Sequence, residues 1–371
     1  MKEKKFITIT AFVCLLIMSL IAGVNYVVDP YGIYDPPHIE GVNGHYPSAL
    51  SFSRLFKAEA MKRVKPDVAI LGTSVADVGL NPEGFFPDGK AYNFAVSGAS
   101  IEEQYYNLKY AFAVNPPELV ILTLDFFIYD ANRLLHNELD LNRFKPNALK
   151  PVQSFFNSYG TLLSLDTFRN SLQHLRRMKH PERYSYPRKN GHNVHQKGAY
   201  FAKHKGFYPM FVKPPAPDMM ASNDYRFDYP VPEKHPVQTS FGYLEMMLEL
   251  ARGHGAEVIL FLSPMHQKYL RVLEDQGNLA KFHEWHDRVI ETVVNHNKKY
   301  DHNYALWDFS AKHPYTNEPI PAEGDTKTQM KYFWDVMHYQ ESLGDIIFKK
   351  ILNKKDGSED KNFRSFGKKI N

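Results

Sequence analysis

The chain has 371 residues, with 45 Lys plus Arg against 41 Asp plus Glu and a formal net charge of +4. That length suits one large or two small domains and buries a full core without disulfide support. Hydrophobic residues at 43% and charged residues at 23% lie near the globular average, which speaks against wholesale disorder and against a multi-span membrane protein. Cys14 is the only cysteine, so a disulfide framework, a cysteine-based zinc site and a thiol nucleophile in the folded part are excluded. Nucleophilic chemistry must use Ser, Thr, Lys or a carboxylate.

In chain order, Lys2, Lys4 and Lys5 precede an uncharged run from Phe6 to Val28, closed by Asp29 and Pro30. At about 1.5 Å per residue this run exceeds the ~20 residues that cross ~30 Å of hydrocarbon. Residues 1–28 are therefore expected as a cytoplasmic stub and a transmembrane anchor, with the basic flank inside. The rest of this single-pass protein of an inner or plasma membrane is then periplasmic or extracellular. A cleaved signal peptide is the competing reading, against which stand the length of the run and the want of an A-x-A site. The bulk of Phe12 and Val13 argues against a lipid anchor on Cys14.

Asp29 to Lys65 is rich in Pro, Gly and Tyr and reads as a stalk. Asp67–Leu71 is a short apolar run ending in Gly72-Thr73-Ser74, as a buried parallel strand does before a turn. Ala91–Val96 before Ser97-Gly98 repeats the form, a helix is expected over Ile101–Ala113, and Glu118–Leu124 ends at Asp125 as a third strand. After a break from about Tyr129 to Ser240, a helix (Phe241–Arg252), a strand (Ala256–Leu262, ending at Ser263-Pro264), a helix (Leu279–Asn297) and a strand (Tyr304–Trp307) follow. The last helix is expected over Gln340–Leu352, and 353–371 reads as a polar, disordered tail. Alternating strands and helices argue for an α/β fold, a doubly wound parallel sheet in three layers with helices on both faces. The domain is expected over 66–352 with a large insertion at about 130–240.

The insertion is basic. Between Arg169 and Lys213 eleven Lys or Arg face one acidic residue, Glu182, so this stretch alone exceeds the whole net charge. Tyr184, Tyr186, Tyr200, Phe201, Phe207, Tyr208 and Phe211 are interleaved with it, as are five histidines. Outside a membrane such a pattern fits anionic lipid headgroups or an acidic glycan better than nucleic acid, which is not expected as a partner. The plainer reading is a solvated insertion whose aromatics pack on the main domain.

In open parallel sheets ligands sit beyond the carboxyl ends of the strands, where Ser74, Gly98 and Asp125 fall. A serine at a strand-to-helix turn can present its hydroxyl there, beside backbone N–H groups that face a developing oxyanion. Alternatively Ser74 is a helix N-cap, with Asp77 completing a capping box. Asp335-Val-Met-His338 lies between the last strand and the final helix, where a histidine could reach the same edge and a carboxylate could orient its ring. A second D-x-x-H, Asp35 to His38, lies before the first strand with no sheet to place it. His266, after Ser263-Pro264, could also face the cleft as a substrate contact. His283-Glu-Trp-His286 lacks the H-E-x-x-H spacing of a metal site, and no metal is expected.

Gly72-Thr73-Ser74, Asn93 to Gly98 and Asp335 to His338 together resemble the SGNH (GDSL-type) hydrolase superfamily over about Pro66 to Leu352. The likeness is greatest to the membrane-anchored branch found beside cell-envelope polymer O-acylation, such as alginate O-acetylation and teichoic-acid D-alanylation proteins. The resemblance implies an SGNH or flavodoxin-like fold, Ser74 as nucleophile, His338 as base and Asp335 as its orienter. It implies oxyanion donors at the Ser74 and Gly98 amides, Asn93 near the substrate, and no cofactor. Thr73 replaces the middle residue of the usual G-D-S, and Asp125 stands where the family offers an oxyanion-binding asparagine. An ionised carboxylate there would repel the developing charge, so Asp125 must be protonated, turned away or otherwise employed.

On this resemblance the chain is an extracytoplasmic serine O-acyltransferase or acylesterase of an envelope polysaccharide, working through an acyl-serine. A multi-span membrane O-acyltransferase would supply acyl groups and the glycan would accept them. The rival expectation is a catalytically inactive SGNH-like subunit that binds glycan or scaffolds a membrane O-acylation complex, which the residue at Asp125 favours.

Overall fold

Aliphatic runs with no polar alternation need cover on both faces, and they make the centre of the structure. The computed structural model describes residues 2–87, 89–133, 135, 159–212, 224–354 and 361–371. Its strands are β1 (Val68–Leu71), β2 (Ala91–Asn93), β3 (Leu119–Leu124), β4 (Tyr186–Pro187), β5 (Asn193–Val194), β6 (Glu257–Leu262), β7 (Ala305–Asp308) and β8 (Lys368–Lys369). Six of them form one sheet in the order β2-β1-β3-β6-β7-β8, and β4 and β5 lie outside it. Every pairing in that sheet is parallel except β7 with β8. The chain is thus α/β with a mostly parallel sheet, preceded by the apolar N-terminal helix Lys2–Val28.

The described residues divide into two compact units. The sheet belongs to the unit made of 61–133, 135, 189–193, 198–212, 224–354 and 361–371. Within it, register sets Leu71 beside Leu122, Leu124 beside Leu262, and Leu262 beside Asp308. Parallel pairing in this register brings the residues that follow β1, β3 and β6 to one edge. β1 lies between β2 and β3, so the strand order reverses at β1.

Close backbone approaches fix that edge. A Cβ on Gly72 would lie 2.1 Å from Thr123 Oγ1, so only glycine lets the chain turn there against β3. The turn opens the short helix Ser74–Gly79, which packs against the C-terminal helix Glu341–Ile351. At their crossing a Cβ on Gly344 would meet the Gly79 carbonyl oxygen at 1.8 Å. Two elements some 260 residues apart in the chain are thereby held backbone to backbone.

Two expectations are corrected in this unit and its neighbour. The described part of the basic insertion is divided between the units, 159–188 and 194–197 falling outside the sheet unit, while Ala202, Phe207, Phe211, Tyr225, Phe227 and Tyr229 are buried in the sheet unit's core. Residues 136–158 and 213–223 of it lie outside the described residues. The C-terminal tail, expected to be disordered, ends instead in a helix (Lys361–Ser365) and in β8. Phe366 is buried against Phe309, and the Ile370 N–H donates to the Leu306 carbonyl at 2.9 Å. The stalk is folded as well, since it contains the helix Ser53–Val64 and buried Tyr31, Ile33, Ala49 and Phe56.

The second unit comprises 2–60, 159–188 and 194–197. Its helix Lys2–Val28 is long and apolar enough to cross a membrane and exposes its apolar side chains. Asp29 ends it, accepting at about 3 Å from the N–H groups of Ile33, Tyr34 and Asp35, which turns the chain sharply.

Gly344→Ala is expected to cost about 1–3 kcal/mol by forced overpacking at the helix crossing. A thermal melt matching the wild type would show that the two helices do not meet as described.

Candidate active site at the sheet edge

Thr73 decides what Ser74 does. Thr73 is the N-cap of the helix Ser74–Gly79, its Oγ1 accepting from the Val75 N–H at 3.2 Å. Ser74 is the first helical residue, so its side chain has no capping duty and its N–H has no intrahelical acceptor. The capping reading of Ser74 therefore passes to Thr73. The Ser74 hydroxyl instead donates to His338 Nε2 at 2.8 Å.

On the other side of the ring, His338 Nδ1–H donates to Asp335 Oδ2 at 2.8 Å. Asp335 Oδ1 accepts from the backbone N–H groups of Met337 and His338, both at 2.8 Å. These bonds close the loop Asp335–His338 on its own carboxylate and leave Nε2 as the acceptor for serine. Ser74, His338 and Asp335, expected together from sequence, are brought together in this geometry. The decoy Asp35 and His38 belong to the other unit.

Asp125 Oδ2 accepts from the Thr73 hydroxyl at 2.7 Å, so it pins the residue that caps the helix Ser74–Gly79. Burial pushes the Asp125 carboxyl above the usual carboxylate range, with Thr73, Ser263 and His338 opposing. Of the alternatives for Asp125, this contact gives it another employment, on Thr73. Among the described residues, the N–H groups of Ser74 and Gly98 donate to no protein acceptor. Gly98 follows Val96, whose N–H donates to the Gly72 carbonyl at 3.0 Å beside the nucleophile turn.

Two residues expected as substrate contacts bond to protein groups. Asn93 is fully buried, its Nδ2 donating to the carbonyls of Ala76 and Leu80 at 2.9 and 2.8 Å and its Oδ1 accepting from Ala95 N at 3.0 Å. It ties β2 to the nucleophile helix. His266 is buried with both ring nitrogens occupied, Nε2 by the Glu318 carbonyl at 2.8 Å and Nδ1 by the Lys268 N–H at 3.2 Å. No cluster of potential metal ligands occurs among the described residues.

Sequence reading missed Asp77 as a charge at the site. Asp77 is buried on the helix Ser74–Gly79, accepts from Asn193 Nδ2 at 3.0 Å, and adds to the negative field on His338. The segment Lys189–Asn193 reinforces the same helix, with His192 Nε2 bonded to the Val78 carbonyl at 2.9 Å. Burial works against a charged His338, but the charge and hydrogen bond of Asp335, joined by Asp125 and Asp77, outweigh it and hold the imidazole above its usual pKa. For Asp335, burial is outweighed by His338 and the two backbone N–H groups, which hold it below the usual range.

A small pocket is lined by Val75 and Met337, the chain neighbours of Ser74 and His338, and by Asp125, Phe126, Phe127 and Ser263. Comparison of the chain with protein-family models, with curated proteins and with solved structures finds no match.

A histidine raised by its partners keeps its proton to higher pH, so the His338 ring is expected to titrate above the ordinary midpoint of about 6.5. In Asp335→Asn the midpoint should fall, and in Asp125→Asn it should fall less. Histidine-selective NMR, assigned with His338→Gln, measures it; a wild-type midpoint at or below about 6.5 would contradict the electrostatic description.

Proposed function

We propose that the chain is a membrane-anchored serine acyl-transfer enzyme of the SGNH type, acting outside the cytoplasm on an envelope glycan. The observation that carries this reading is the unbroken relay Ser74 to His338 to Asp335, at 2.8 Å for each side-chain step. His338 takes the Ser74 proton as the hydroxyl oxygen attacks an ester carbonyl, and the imidazolium is stabilised by Asp335. The Ser74 and Gly98 N–H groups receive the oxyanion. Collapse expels the donor's alkoxide with the proton from His338 and leaves an acyl-serine, which a glycan hydroxyl or water then resolves.

The topology supports the SGNH assignment. Strand order reverses at β1, and crossovers between parallel strands are right-handed, so connections running to opposite sides of β1 lie on opposite faces. Such crossovers would support the doubly wound, three-layer arrangement that the SGNH reading calls for, with Ser74 near its switch point. The residue at Asp125, which would favour an inactive scaffold, has a positioning duty through Thr73 that an active site needs. A helix fit to span a bilayer, with Lys2, Lys4 and Lys5 before it, supports the anchor with its N-terminus cytoplasmic. A multi-span O-acyltransferase as acyl source completes the scheme, and hydrolysis and transfer share every residue named.

The test is a pre-steady-state burst with 4-nitrophenyl esters. A burst is expected with the acetate, no burst in Ser74→Ala, and turnover down by up to about 10⁴-fold in Asp335→Asn. Equal turnover by wild type and Ser74→Ala would refute the reading.

A further inference from the structure

The unit that contains the N-terminal helix carries an exposed face with a composition that water does not explain. The helix Leu165–Arg177 buries Thr167, Ser171 and His174, spaced i, i+4, i+7 along one side. Leu165, Arg169, Leu172 and Arg176 take the opposite side at the same spacing, and all four are exposed. Leu165 is 69% and Leu172 42% exposed. Arg169 has Asp166 at 3.8 Å, both highly exposed. Alternating leucine and arginine on a free helical face is the pattern of a helix lying in a membrane interface, apolar groups down and cations at the phosphates.

The place of this helix on the chain's own anchor says what covers it. Asn25, in the last turn of the helix Lys2–Val28, is buried and donates to the carbonyls of Leu162 and Ser164 at 2.8 and 3.1 Å, while its Oδ1 accepts from Ser171 Oγ at 3.0 Å. Leu163 and Leu165 therefore sit beside the outer end of the apolar run, 57% and 69% exposed. Around the same level Tyr26 lies 6.0 Å from Tyr34, and Tyr34 lies 6.3 Å from Tyr159, ring to ring. Tyr26 and Tyr159 are exposed. Tyrosines gathered at the end of an apolar helix mark the level of lipid headgroups.

We propose that this face, Tyr26, Tyr159, Leu163, Leu165 and Leu172 with Arg169 and Arg176, docks on the outer leaflet of the membrane that the anchor spans. The anchor then ends in a foot, a helix seated in the interface and locked to the span through Asn25, which fixes the unit's orientation to the bilayer instead of letting it swing. Burial of these side chains by about 5–10 Å into the headgroup boundary fits such a foot. The inference rests on the anchor reading, and the experiment separates the two.

In the full chain, the native Cys14 inside the apolar run carries a bimane fluorophore and reports the anchor. In a Cys14→Ser background, Leu165→Cys and Leu172→Cys carry the same label, one per protein. Each is reconstituted into phosphatidylcholine vesicles with and without bromine atoms high on the acyl chains. Quenching of the Leu165→Cys and Leu172→Cys labels by about two-fold or more is expected, as for groups at that depth. Quenching at Cys14 with none at 165 and 172 would overturn the foot and leave the anchor, with that face open to water or to a protein. No quenching at any of the three would overturn both.

Discussion

One hydrogen bond joins the two ends of the folded unit: the Ser74 hydroxyl on His338 Nε2, across 264 residues of sequence. It requires that the end of β1 and the loop before the C-terminal helix meet within 2.8 Å, and three features of the structure serve that demand. Gly72 lets the chain turn tightly against β3, and Gly79 and Gly344 let the helices Ser74–Gly79 and Glu341–Ile351 touch backbone to backbone. Thr73 takes over the helix cap, so the serine has no competing partner. Asp125 fixes Thr73 from β3, at the cost of placing a second carboxylate near the imidazole. That carboxylate does not abolish the site; it strengthens the field that raises His338.

Much of this was legible in the sequence because strong hydrophobic runs leave few choices. Asp67–Leu71, Glu118–Leu124 and Ala256–Leu262 each became a strand one residue shorter at its start, and the helices over Ile101, Phe241 and Leu279 were found within a few residues of their ends. β2 ended at Asn93 rather than Val96, although the N–H groups of Phe94 and Val96 continue to bond β1 and its turn. What failed was the reading of regions by average composition. Two side chains, Phe366 and Ile370, decide the fate of the C-terminal segment, and their effect vanishes in a window full of Lys, Asp and Asn. The helix Ser53–Val64 was hidden in the same way behind the prolines and glycines that precede it.

The site divides along the same line. Position relative to strand ends located Ser74, Asp335 and His338, since a parallel sheet brings those ends to one edge whatever the details. Asn93 and His266 shared that position but not that use, because a side chain's free valence depends on neighbours far away in sequence: Leu80 and Ala76 for one, Glu318 for the other. The duty of Asp125 was beyond reach for the same reason. It depends on which way the Thr73 hydroxyl points. The aromatics of the basic stretch resolve similarly, Phe207 and Phe211 serving the core, while Leu165, Arg169, Leu172 and Arg176 of Leu165–Arg177 are exposed.

The central claim is that Ser74 is an activated nucleophile, and covalent labelling of the full chain with a fluorophosphonate probe tests it most directly. The account predicts a single adduct, located by peptide mass on Ser74, absent in Ser74→Ala and formed far more slowly in His338→Ala. A folded wild-type protein that takes no label at Ser74, or takes it equally fast without His338, would contradict it.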